Sequence, residues 1–282
     1  MEKITYNLSI FKTPEFKAIR NLSQLEFEKY SDYIVKLILL RNDENLFKIV
    51  ELNYIDFISK IEDITNRLSE GNIDTVEQQF LHLEVNRLIL NLLSSIRTYL
   101  DHTETRFKRE YGLASDEFKI FKTETSKTYD ENFAYRFLYK LRNYSQHCGL
   151  PAGSLKLSSS SENGLPKYIL KLSLLRDELL QNFKWGNPIT EELRKQEKVF
   201  DILLLIKTKF NLLEKINNSI KNFAYKHYQT EGFELLSLLQ EIENKDGAPC
   251  ILKTIPDGEK TQLIFHWFPF DSITKITGVR LY

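Results

Sequence analysis

The run Arg142-Asn143-Tyr144-Ser145-Gln146-His147 brings a guanidinium, a carboxamide and an imidazole close together along the chain. An arginine fork can hold a phosphate through two parallel hydrogen bonds. An imidazole titrates near neutral pH and can take or deliver a proton. At 100° per helical residue, Arg136, Lys140, Asn143 and His147 fall within about 60° of one another. This cationic stripe with a histidine at its end suits a phosphodiester. Arg142 stands about 140° around the wheel from His147. The two can share a phosphate if the helix end frays, if the long arginine arm curls round, or if two helix ends face each other across a dimer.

These residues need a helix to carry them. The segment 131–147 reads as one, with Asp130 as its cap, a stop at Cys148-Gly149-Leu150-Pro151 and Gly149 as the residue just past the end. Phe133, Phe137, Leu141 and Tyr144, with Ala134 and Leu138 beside them, share a face that must pack into a core. A second account of the same cations is that they interact with the dipole at a helix C-terminus, an effect of about 0.3–1 kcal/mol. Arg136 and Lys140 read either as ordinary surface charges or as substrate-binding groups.

Before this helix, Ser69-Glu70-Gly71-Asn72 closes one element, and Asp74 or Thr75 opens a helix of about 35 residues that runs to Gly112. Its polar stripe Glu84, Arg87, Asn91, Ser95, Thr98, His102 and Thr105 is a solvent-facing edge. Alternatively it is a groove wall opposite the motif, with Asp101 and His102 supporting the reacting residues. Asp101 is also spaced to pair with Arg97 at i, i+4.

Arg142-Asn143-x3-His147 at a helix end resembles the Arg-x4–6-His motif of HEPN ribonucleases, in which a polar residue follows the arginine and the motif ends a core helix. The stretch Leu92-Leu93-Ser94-Ser95-Ile96-Arg97-Thr98-Tyr99-Leu100-Asp101-His102 likewise resembles the partner helix of such proteins. The resemblance covers roughly 74–228. It implies a HEPN-like helical bundle acting as a homodimer on RNA, without metal or cofactor. The RNA 2′-hydroxyl attacks the adjacent phosphorus, leaving a 2′,3′-cyclic phosphate and a 5′-hydroxyl. In that scheme His147 moves the proton, Arg142 holds the phosphate and stabilises the transition state, and Asn143 orients either partner. It also implies a toxin or phage-defence effector with an antitoxin or activating partner. The alternative is a catalytically inactive HEPN-like interaction or regulatory dimer, and a third reading is an unrelated all-α binding protein. Arg97 and His102 repeat the spacing, but mid-helix, with Thr98 in place of the asparagine and no Gly-Pro stop. Context, not spacing, distinguishes the second copy.

The rest of the chain reads as mainly α. Helical patterning covers Pro14 to Leu68, Thr190 to Tyr228 and Glu231 to Glu243. A hairpin insert spans about 154–174, turning at Glu162-Asn163-Gly164, and a terminal hairpin turns at Asp257-Gly258. Phe265-His266-Trp267-Phe268 reads as a buried strand. The expected organisation is an N-terminal helical extension over 1–73, a HEPN-like core over 74–230, and a C-terminal helix and hairpin over 231–282.

Lys+Arg and Asp+Glu both total 39, so no global basic field drives nucleic-acid binding and any contact must be local. Cys148 and Cys250 form no CxxC and read as reduced thiols. The first sixteen residues lack a basic region followed by an apolar run, and no stretch approaches about 18 apolar residues. The expectation is a cytoplasmic protein with no membrane partner. Phosphate-loop and HExxH motifs are absent from the sequence.

Overall fold

The computed structural model describes residues 3–71, 75–162, 165–242, 246–258 and 260–281. In chain order these form β1 (Thr5–Lys12), β2 (Glu15–Asn21), α1 (Gln24–Ser69), α2 (Thr75–Glu110), α3 (Asp116–Glu131), α4 (Phe133–His147), β3 (Ser154–Glu162), β4 (Leu165–Leu175), α5 (Arg176–Asn182), α6 (Ile189–Arg194), β5 (Val199–Asp201), α7 (Leu203–His227), α8 (Gln229–Gln240), β6 (Ala248–Asp257), β7 (Lys260–Trp267) and α9 (Phe270–Thr277). The chain is mainly α with small antiparallel sheets. Among the described residues, no helix is long and apolar enough to cross a membrane.

The chain divides into two compact units. One joins the stretch up to Glu44 with that from Lys221 onward, and the other runs from Asn45 to Ile220. The expected boundaries near 73 and 230 are a different partition, and the first of them touches residues outside those described.

In the first unit the two ends of the chain share one sheet, in the order β2-β1-β6-β7. Leu8 pairs with Ile251 and Ile10 with Pro249. The period-2 alternation of Tyr6, Leu8 and Ile10 turns these residues toward Phe27, Ile34 and Leu37 of α1 and Leu235 of α8. The helical reading from Pro14 is therefore corrected: residues 15–21 pair with β1, and the helix begins at Gln24. Its start carries a reciprocal capping box, in which the Glu26 amide donates to Ser23 Oγ and the Ser23 amide donates to Glu26 Oε2. The strand at Phe265–Trp267 is also less enclosed than expected. Phe265 is 41% exposed and Trp267 39%, and they pack with Phe11 and Phe16 on the outer face of the sheet. The helix read over Glu231–Glu243 is α8, with Glu243 outside the described residues. The α9 helix after the terminal hairpin was not anticipated.

The second unit carries the candidate residues. Its core draws Phe47 and Phe57 from α1, Val85, Ile89 and Leu92 from α2, Phe137 and Leu141 from α4, and Leu213 from α7. Helix α4 packs against α2, α3 and α6. Its expected apolar face is buried, with Phe133 at the margin, and the buried arc widens to include Tyr135 and Arg136. Phe137 and Tyr144 both stack on Trp185, with centroids 5.2 and 5.6 Å away. The Trp185 indole donates to the Leu179 carbonyl at 2.7 Å.

Two local expectations change here. Asp130 is not the cap of α4, because α3 runs on to Glu131 and Asn132 alone separates the two helices. Helix from Thr190 to Tyr228 is broken by β5, since residues 199–201 pair with the free edge of β4. Asp201 then accepts the Leu172 and Leu203 amides, ending the strand and opening α7. The insert hairpin has the register Ser154↔Ser173 through Glu162↔Leu165, while its turn at Asn163-Gly164, like the proposed cap at Asp74, lies outside the described residues.

Candidate functional site

Helix α4 ends at His147, with the Cys148 amide donating to the Tyr144 carbonyl at 2.8 Å. Gly149 does not adopt the left-handed conformation expected of it. Its role is space: a Cβ there would lie 2.8 Å from the Tyr144 hydroxyl. Just beyond, Ala152 is pinned to α2 by Asn86, whose Oδ1 accepts the Ala152 amide at 2.8 Å and whose Nδ2 donates to its carbonyl at 3.1 Å. Asn86 is buried and His82 shares the same carbonyl, so the end of α4 is held by the core on one side and by α2 on the other.

Against this frame the three motif residues differ in setting. His147 is exposed, while Asn143 and Arg142 are half-buried. The Arg142 Nε is buried, and among the described residues it reaches no acceptor. Arg136 is the opposite case and corrects its reading as a surface or substrate-binding cation. It is only 4% exposed, ion-paired with Glu192 of α6 and bonded to the Tyr129 carbonyl of α3. Its donors are consumed in packing three helices together.

The remaining candidates lie elsewhere. Asp101 is exposed and paired with Arg97 at 2.7 Å, and His102 points to solvent beside it. The wider polar stripe of α2 is the solvent-facing edge expected of it. Asp101 and Lys140 come together in a groove of about 490 Å3 between α2, α3 and α4, whose lining includes Arg97, Tyr129, Tyr135 and Tyr139. Arg142, Asn143 and His147 do not line it.

Behind that groove lies a residue that sequence reading overlooked. Lys209 of α7 is 2% exposed, and its ammonium lies 5.1 Å from the Tyr135 ring centroid and 5.9 Å from that of Tyr139. The Arg97 guanidinium takes the Tyr139 ring as well, at 4.7 Å. The clue was available: Lys209 occupies an inward position in the apolar stripe of Ile206, Phe210, Leu213, Ile216 and Ile220. Burial, with the positive charge of Arg97 adding to it, pulls this amine down to about 7.

The unfolded chain holds the same proton to about pH 10.4. Between these values the unfolded state binds the extra proton, so the contribution of Lys209 to stability rises with pH, by up to about 1.4 kcal/mol per pH unit. Lys209→Met is expected to be more stable than wild type near neutral pH, with the gap closing toward about pH 10. Denaturant titrations across that range check it, and parallel stability curves would contradict it.

No family model matches the chain, and neither a curated protein nor a solved structure is significantly similar to it. The side chains must therefore speak for themselves. Among the described residues, no group of three or more His, Cys, Asp or Glu side chains is placed to hold a metal ion. Cys148 is exposed and Cys250 buried, and neither is in a disulfide.

Proposed function

We propose that the chain is a HEPN-like endoribonuclease that cleaves RNA by attack of the 2′-hydroxyl on the adjacent phosphorus, without a metal. The observation that carries this reading is Arg142. It is a half-buried guanidinium whose Nε is removed from water and meets no acceptor among the described residues, on a helix whose other arginine is buried and ion-paired with Glu192. Leaving such donors unmade costs stability unless a ligand supplies the acceptor, and a phosphate is the acceptor a guanidinium fits best. His147, exposed and one helical stretch further on, then serves as the proton-transfer group. Asn143 between them orients the phosphate or the imidazole.

Because Arg142 and His147 lie about 140° apart on one helix, a site in which both touch the same phosphate is completed by a second copy of the chain. The HEPN resemblance further suggests a toxin or phage-defence setting, with an antitoxin or activating partner. The interaction-only alternative draws on a different observation: the motif residues are absent from the groove described above, and His147 is open to solvent.

The test is incubation of purified protein with single-stranded RNA in EDTA, with end-group analysis of the fragments. The expected products carry 2′,3′-cyclic phosphate and 5′-hydroxyl ends. Intact RNA at micromolar enzyme, or 5′-phosphate ends, would count against the proposal.

A further inference from the structure

An antiparallel sheet with one face on a core commonly turns polar side chains to water on the other. The sheet of the first unit does not. Its inner face holds Leu8, Ile10 and Ile251, yet Phe11, Phe16, Phe265 and Trp267 meet on its outer face, and Leu263, two residues before Phe265, joins them.

The two edges of this sheet, β2 and β7, are built differently. An edge strand is protected from further pairing by charges, prolines or bulges. In β2, Glu15, Lys17 and Arg20 supply charge, and the register against β1 shifts between Leu8 and Ser9. In β7 the only charged residue is Lys260, at its start; there is no proline, and the register runs unshifted from Asp257↔Lys260 to Cys250↔Trp267. Counted from the pair that closes the hairpin, Thr261, Leu263, Phe265 and Trp267 turn their backbone N–H and C=O groups away from β6. Among the described residues, no other strand meets them.

Only an extended strand satisfies such a row, and β7 fits itself. With a two-fold axis at Ile264, Leu263 faces the partner's Phe265 and Thr261 faces the partner's Trp267. Every outward backbone group of these residues is then matched, and the aromatic face continues across the join. Lys260 falls beyond the last pair, at the end of the partner strand, where α9 begins with Asp271, a residue that is exposed although paired with Lys275. Opposite charges therefore meet at both ends and like charges at neither.

We propose that β7 is a self-association edge, along which two copies of the chain pair antiparallel and join their sheets into one. The join lies outside the unit that holds Arg142 and His147, and it does not rest on the ribonuclease reading.

Sedimentation equilibrium of the full chain at micromolar concentration is expected to give a dimer, or a tetramer if the α4 ends also meet. Leu263→Pro removes one outward amide per copy at an exposed position and is expected to halve the assembled mass. Leu263→Val keeps the amide and is expected to leave that mass unchanged, with both variants folded by circular dichroism. A second variant reads the register directly. In a Cys148→Ser background, Ile264→Cys faces its own copy at a non-hydrogen-bonded pair, with Cα atoms about 4.5 Å apart, within disulfide reach, so mild oxidation is expected to link the two chains. A wild-type monomer at high micromolar concentration, a mass indifferent to Leu263→Pro, or an Ile264→Cys chain that stays unlinked would overturn the proposal. None of these readouts depends on RNA cleavage.

Discussion

Alanine at His147 is expected to slow RNA cleavage by about a thousandfold while leaving the melting temperature nearly unchanged. The imidazole is exposed at the last position of α4, so its removal disturbs little packing. Arg142→Ala is expected to lose about a hundredfold to a thousandfold, again in a folded protein, because the buried Nε bonds to none of the described residues. The double variant should be little worse than the single ones, since the two groups act on one phosphate. Mixing the two single variants probes the architecture. If Arg142 of one copy works with the partner's His147, random exchange of subunits restores about a quarter of the sites. If both residues act within one copy, the mixture stays inactive. Wild-type cleavage rates retained in His147→Ala would remove the acid–base assignment altogether.

Glu192→Ala is expected to destabilise the protein by about 3 kcal/mol, lowering the melting temperature by about 10 °C. The reason is asymmetric. Arg136 is buried and its guanidinium is divided between Glu192 and the Tyr129 carbonyl. Deleting the carboxylate strands a positive charge inside the junction of α3, α4 and α6. Replacing both partners with apolar groups, as in Arg136→Met with Glu192→Leu, removes the charge with its counterion and should recover most of the loss. A single Glu192→Ala costing less than about 1 kcal/mol, within the range of exposed pairs, would mean that the ion pair does not fix α4. Melting curves of the three variants decide.

The helical periodicity of α4 was legible because one residue set satisfies one rule: Phe137, Leu138, Leu141 and Tyr144 recur at helical spacing and all are buried. The β1–β2 hairpin was not. Its pattern of Tyr6, Leu8 and Ile10 is short, and the strand that completes it, β6, lies at the other end of the chain. The Ser23-x-x-Glu26 capping box would have placed the start of α1 correctly. Val199–Asp201 failed for a related reason, since three residues of strand inside helix-forming surroundings depend on the free edge of β4. At the site, sequence spacing nominated Arg136 and Arg142 alike. Only tertiary contacts separate them, because Glu192 lies 56 residues from Arg136 and no local pattern announces the pairing. Lys209 and Asn86 were missed because each reads as an interruption in an apolar stripe, whereas each has a defined setting in the folded chain.

The antiparallel pairing of β1 with β6 has a consequence for how the molecule is made. Thr5 must find Thr254, and Phe11 must find Ala248, so this sheet cannot close until the residues up to Thr254 have left the ribosome. The stretch from Asn45 to Ile220, which holds Arg142, His147 and the tyrosine groove, is continuous in sequence and can collapse while synthesis proceeds. During that interval β1 and β2 form a solitary hairpin, a structure with marginal stability in water. Two waiting strands with an unpaired edge are open to capture by other nascent chains. Slowing translation between the codons for Ile220 and Ala248 should therefore lower the soluble yield more than slowing it before Asn45.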